Sequence, residues 1–195
     1  LIVTPEEAGR IVERGGVVIY PTETLYGIGG DPFNRDVVAR ISVTKGRPEE
    51  KGFILLVDEK MVYELSDEIS ENVEKVLREF WPGPLTVILP ARKKFVQVLG
   101  EKVAMRISPH PVPRRIISVS GKPLISTSAN ISGEEPVKDF EQLIKVFKDK
   151  VDAFVRGEIW YGEPSTIFDA VEGRIIREGA VKKEDLERLL GFTLR

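Results

Sequence analysis

The first apolar rhythm in the chain is helical. Thr4-Pro5-Glu6-Glu7 has the form of a capping box with proline at the first helical position, and Ala8, Ile11 and Val12 follow at helical spacing until Gly15-Gly16. Val17-Val18-Ile19-Tyr20 is a short, wholly apolar run closed by Pro21, the pattern of a buried strand. After a Gly-rich turn, Asn34 is placed to cap a helix through Val37, Val38 and Ile41, with Pro48 as its latest possible end. Lys45 and Arg47 then fall at that helix's exit. Phe53 to Val57 is a second buried strand, and Val73, Val76, Leu77 and Phe80 define a helix face ahead of Pro82-Gly83-Pro84.

The rest of the chain alternates in the same way. Strands are predicted at Leu85 to Leu89, Val103 to Ile107, Leu124 to Thr127, Val151 to Val155, Thr166 to Phe168 and Arg174 to Ile176. Helices are predicted at Pro111 to Ser120, Phe140 to Phe147 and Lys183 to Leu190. Helices interspersed with short apolar strands predict an α/β layer architecture with a mixed, twisted sheet. No repeat, low-complexity tract or linker divides the sequence, and 195 residues with 42% hydrophobic content suit one domain over 1–195.

Composition narrows the chemistry. Lys and Arg number 29 against 31 Asp and Glu, so no global positive field marks a nucleic-acid coat protein, although a local basic cleft stays open. The absence of cysteine removes disulfides, thiolate nucleophiles and cysteine metal sites together. A single histidine, His110, leaves oxygen ligands for any metal, which suits magnesium better than zinc. No run reaches the roughly 18 apolar residues that would span a bilayer, and no signal-peptide pattern opens the chain; a cytoplasmic, soluble protein is the expectation.

Three polar clusters follow predicted elements. Pro21-Thr22-Glu23-Thr24-Leu25-Tyr26-Gly27-Ile28-Gly29-Gly30 lies directly after a strand, where α/β proteins commonly bind ligands, and its glycines permit positive φ and exposed amides. It reads equally as an ordinary strand-to-helix turn, and it is neither a Walker loop nor a dinucleotide fingerprint. Lys45-Gly46-Arg47-Pro48 offers two cations suited to phosphate, though cations also favour helix C-termini for dipole reasons alone. Ser126-Thr127-Ser128-Ala129-Asn130 supplies hydroxyls and a carboxamide at a strand end, with a polar capping turn as the plainer reading. Arg106, Ser165-Thr166 and Arg177 complete the candidates, and His110 before a proline reads as structural.

Taken in order, Pro21 to Gly27, Lys45-Gly46-Arg47-Pro48, Trp81-Pro82-Gly83-Pro84-Leu85-Thr86, Met105-Arg106 with His110-Pro111, Ser126 to Asn130, Ser165-Thr166-Ile167 and Arg177 resemble the YrdC family of threonylcarbamoyl-AMP synthases, in its short stand-alone form. The ordered set covers nearly the whole chain. The resemblance implies a YrdC-like mixed sheet around a deep, positively lined cavity. It also implies an ATP- and magnesium-dependent union of bicarbonate with L-threonine, with pyrophosphate released. The resulting adenylate would supply a downstream transferase machinery that modifies tRNA beside the anticodon.

Carried over by position, Lys45 and Arg47 are the expected catalytic cations. ATP would meet Lys45, Arg47, Ser128, Asn130 and Arg177. Threonine would meet Thr22, Arg106, Ser126 and Ser165, with Arg106 on its carboxylate; no residue is expected to be a resident metal ligand. Two other readings stay open: an RNA-binding module of the same fold, with direct tRNA contact, and a carbamoyl-AMP-forming relative.

Overall fold

A computed structural model of the chain describes residues 1–46, 52–67 and 69–195. Arg47 and Pro48 lie outside the described residues. The chain opens on a two-residue strand β1 (Ile2–Val3) and helix α1 (Pro5–Glu13), whose capping box forms as expected: Thr4 Oγ1 accepts from Glu7 N, and the Glu7 carboxylate accepts from Thr4 N. Strand β2 (Val18–Pro21) is buried at every position and turns back into β3 (Tyr26–Gly29).

That hairpin bears out one expectation and corrects another. Pro21 does close the strand, as its last residue, paired opposite Tyr26. The glycines that follow are not a loop. Gly27 and Gly29 sit in β3 with ordinary negative φ, so they do not serve to expose amides in a left-handed turn. Close packing explains them instead, because a Cβ on Gly29 would lie 2.0 Å from Ile125 O.

Helix α2 (Arg35–Lys45) starts on Asn34, whose side chain accepts from Asp36 N and Val37 N, and stops at Gly46, which has φ 64°. After the undescribed residues come β4 (Ile54–Leu56), α3 (Glu59–Leu65), α4 (Glu71–Phe80) and β5 (Leu85–Pro90). Val73, Val76 and Leu77 of α4 are buried at i, i+3 and i+4, each contributing roughly 1.5–3 kcal/mol by leaving water. A 3₁₀ turn (Lys93–Phe95) and the short α5 (Val96–Leu99) lead to β6 (Lys102–Arg106), α6 (Pro111–Ser120) and β7 (Leu124–Ser128). The remaining elements are α7 (Phe140–Phe147), β8 (Ala153–Val155), β9 (Thr166–Asp169), β10 (Arg174–Arg177) and α8 (Lys183–Leu190).

The ten strands form one sheet in the order β1-β8-β2-β3-β7-β4-β6-β5-β9-β10. Parallel pairs (β1/β8, β2/β8, β4/β6, β5/β9) are combined with antiparallel ones, so the predicted mixed α/β sheet is present. Helices α1 and α6 cross closely, since a Cβ at Gly9 would sit 2.6 Å from Val119 Cβ. Among the described residues, no helix is long and apolar enough to cross a membrane.

Candidate active site

The middle of the sheet gathers segments distant in sequence. β3 pairs with β7, setting Gly27 opposite Ser128; β7 pairs with β4, setting Ser126 opposite Ile54; β4 pairs with β6, setting Leu56 opposite Arg106. Over these strands opens a cavity of about 420 Å³, within the ~300–1,000 Å³ usual for small-molecule sites. Its described lining includes three cations, Lys45, Arg106 and Arg177, and no carboxylate. A site so lined favours an anionic ligand.

Lys45 is the last residue of α2 and is almost wholly buried. Its ammonium donates to Ser128 O and to Asn130 Oδ1, each at 2.6 Å. Ser128 Oγ donates to the same Asn130 oxygen at 2.6 Å, while the Asn130 amide nitrogen donates to Ile131 O and Glu134 O. Three of the residues expected to meet ATP are therefore one connected cluster on the cavity wall. Asn130 spends both its amide hydrogens on the loop that follows it, so it acts as the brace that aims Lys45 and Ser128.

Arg106 also lines the cavity and is 4% exposed. Its Nη1 donates to Thr24 Oγ1 at 2.9 Å and lies 3.0 Å from Glu23 Oε1. Ser165 Oγ shares a hydrogen bond with Thr86 Oγ1 at 2.8 Å and faces Arg177, whose Nε and Nη2 donate to Ser165 O. Burial of the Arg177 guanidinium, and to a smaller extent the nearby charge of Arg106, lower its pKa from the ordinary value. Ser126 also lines the cavity. Thr22 lines the cavity too, but its hydroxyl is occupied: Oγ1 donates to Leu25 O at 2.6 Å and accepts from Thr24 N and Leu25 N. Its evident work is to close the four-residue turn between β2 and β3.

The family model for Sua5/YciO/YrdC, described as telomere recombination, matches residues 10–179. The chain belongs to the Sua5/YciO/YrdC family. Among solved structures, that of P. abyssi Sua5 complexed with L-threonine is 30% identical with a TM-score of 0.92, covering 100% of this chain. This chain spans 62% of the length of that Sua5. The solution structure of MTH1692 from Methanobacterium thermoautotrophicum is 33% identical with a TM-score of 0.67, covering 84% of this chain and 79% of its own. E. coli YciO, at 24% identity, shares the fold with a TM-score of 0.84 over 93% of this chain and 92% of its own.

Within this Sua5/YciO/YrdC framework, eight of the nine expected site residues line one cavity; Arg47, the ninth, lies outside the described residues. Sequence reasoning missed Thr24, which faces the cavity and holds Arg106, and the buried pair Glu23 and Ser108 behind it. The available signal was an acid in an otherwise uncharged stretch between two buried strands, which rarely survives burial without a cation. His110 is structural as expected. Its Nδ1 accepts from Val112 N as the N-cap of α6, and its Nε2 meets Glu158 O at 3.0 Å. No group of acids or histidines among the described residues has the arrangement to hold a metal ion.

Proposed function

We propose that this protein joins L-threonine, bicarbonate and ATP into L-threonylcarbamoyl-AMP with release of pyrophosphate. The observation that carries the reading is a cavity with three cations and no described carboxylate, in which the ATP-side residue Arg177 is bonded directly to the threonine-side residue Ser165. Two ligands held by such walls meet rather than occupy separate pockets. The L-threonine complex of P. abyssi Sua5, alike over the whole of this chain, supports the amino-acid half of the reading.

The chemistry starts with the threonine amine attacking bicarbonate, which loses water to leave an N-carboxylate. A carbamate oxygen then attacks the α-phosphorus of ATP, forming one P–O bond as the bond to pyrophosphate breaks. Magnesium arrives with ATP as part of the substrate and shields charge on its phosphates. Arg106 supplies a planar fork for the threonine carboxylate, and Lys45 a compact charge for the phosphoryl group. His110 is not the base: both its ring nitrogens are engaged in structure. Positioning and electrostatic stabilisation therefore carry the rate. The product would pass to a tRNA threonylcarbamoyl transferase machinery.

Incubation with ATP, magnesium, bicarbonate and either L-threonine or L-serine, followed by mass detection of the adenylate, tests the proposal. The threonine adduct should dominate, with pyrophosphate released in step. Carbamoyl-AMP formed equally without any amino acid would redirect the assignment to the carbamoylating relatives. Salt-sensitive RNA binding without pyrophosphate release would favour an RNA-binding module.

A further inference from the structure

Glu23 is fully buried, yet no step of the proposed reaction uses it. Its surroundings are organised around one neighbour. Oε1 lies 3.0 Å from Arg106 Nη1, and Oε2 accepts a hydrogen bond from Ser108 Oγ, which in turn accepts from His110 N at 3.2 Å. The Glu23 carbonyl also accepts from Tyr161 N, and that of Thr24 from Gly162 N, so the turn is clamped from behind. Arg106 Nη1 is thus hydrogen-bonded to Thr24 and ion-paired with Glu23, whose Oε1 makes no hydrogen bond, while the buried Nε of this cavity-lining side chain has no protein partner.

We infer that Glu23 is the positioning residue for Arg106: a buried counter-charge, fixed by Ser108, that holds one end of the guanidinium so that its remaining donors face the amino-acid carboxylate. This rests on the reading that Arg106 receives that carboxylate. Two effects of Glu23 oppose each other. Its charge weakens the positive field of Arg106, which alone would disfavour an anionic ligand. It also keeps a nearly inaccessible cation in place, and a buried guanidinium stripped of the carboxylate paired with it among the described residues must rearrange toward other acceptors or solvent. Orientation is the larger effect, because bidentate recognition of a carboxylate depends on fork geometry rather than on a point charge. Glu23 touches no substrate in this arrangement, and its effect passes through Arg106.

The test is calorimetric binding of L-threonine and, separately, of magnesium ATP, to wild type, Glu23→Gln, Ser108→Ala and Arg106→Ala, each with its melting temperature. Glu23→Gln keeps the side-chain shape and should weaken threonine binding by at least roughly tenfold while ATP affinity stays within about twofold. Ser108→Ala retains both charges and should shift threonine affinity in the same direction by less, which carries the test if Glu23→Gln does not fold. Threonine affinity unchanged or tighter in Glu23→Gln and Ser108→Ala, with Arg106→Ala still impaired, overturns the inference alone. Equal losses of threonine and ATP affinity reduce Glu23 to a structural role and overturn it as well. Threonine binding that is absent in wild type, or indifferent to Arg106→Ala, overturns the inference together with the reading beneath it.

Discussion

Arg177 donates to the backbone carbonyl of Ser165 from both Nε, at 3.2 Å, and Nη2, at 2.9 Å. A guanidinium at the end of the edge strand β10 is thereby fastened to the start of β9, where Ser165 lines the cavity. On the proposed assignment, one cation thus links the nucleotide and amino-acid sides.

Arg177→Ala should therefore disturb both substrates. On the proposed assignment, removing it takes a charge from the phosphate side and frees the Ser165 carbonyl on the other, so KM for ATP and KM for threonine should each rise, by about tenfold for the loss of charge-assisted hydrogen bonds. Steady-state titration of each substrate against saturating levels of the other checks this. A rise confined to ATP would show that Ser165 keeps its place without Arg177.

Lys45 gives a contrasting expectation, because its ammonium donates to Ser128 O and Asn130 Oδ1 rather than to the residues expected to meet threonine. Lys45→Ala should lower threonine-dependent pyrophosphate release more than about a hundredfold, with threonine affinity close to wild type. Lys45→Arg should not restore the rate, since a forked guanidinium cannot reproduce an ammonium packed at 2.6 Å against two acceptors. Single-turnover pyrophosphate release and threonine calorimetry on the same samples separate the two quantities. Near-normal turnover in Lys45→Ala would sink the catalytic assignment.

The difference between what was readable and what was not follows from range. Caps and helix faces are local, so the Thr4 and Glu7 box, the Asn34 cap and the Val73, Val76, Leu77 stripe could be seen in the sequence and occur as expected. β3 was hidden because its glycines, ordinarily turn residues, are there for the approach of β7, a hundred residues away; the 2.0 Å that would separate a Gly29 Cβ from Ile125 O has no local signature. The same holds for the site. Lys45, Ser128 and Asn130 were individually ambiguous, since a helix-end lysine and a polar turn both have plainer explanations. Their ordered resemblance to a family marked them as candidates, and the fold brings them to one cavity. Glu23 and Ser108 escaped because their roles exist only once β6 brings Arg106 against the turn after β2.

His110 supplies a pH dependence of stability. It is 4% exposed, contacts Trp160 with ring centroids 5.0 Å apart, and burial lowers its pKa below the ordinary 6.5 despite the opposing pull of Glu158 O. With Nδ1 accepting from Val112 N, the ring is the neutral tautomer that donates from Nε2 to Glu158 O. A histidine whose folded pKa is depressed binds its proton more readily when unfolded. Its stabilising contribution is thus fully present above 6.5 and is lost as pH falls through the lower folded value. The carboxylates held below their ordinary 4.5 and 3.8, among them Glu7 and Asp152, lose their contribution as pH falls below those ordinary values, under the acid end of a titration that stops at about pH 5. Urea unfolding from pH 7.5 down toward pH 5 should show stability declining in wild type. His110→Asn can still cap α6 but cannot titrate; it should cost about 1 kcal/mol at neutral pH and flatten that decline. An equally steep decline in the variant would assign the acid sensitivity to other groups.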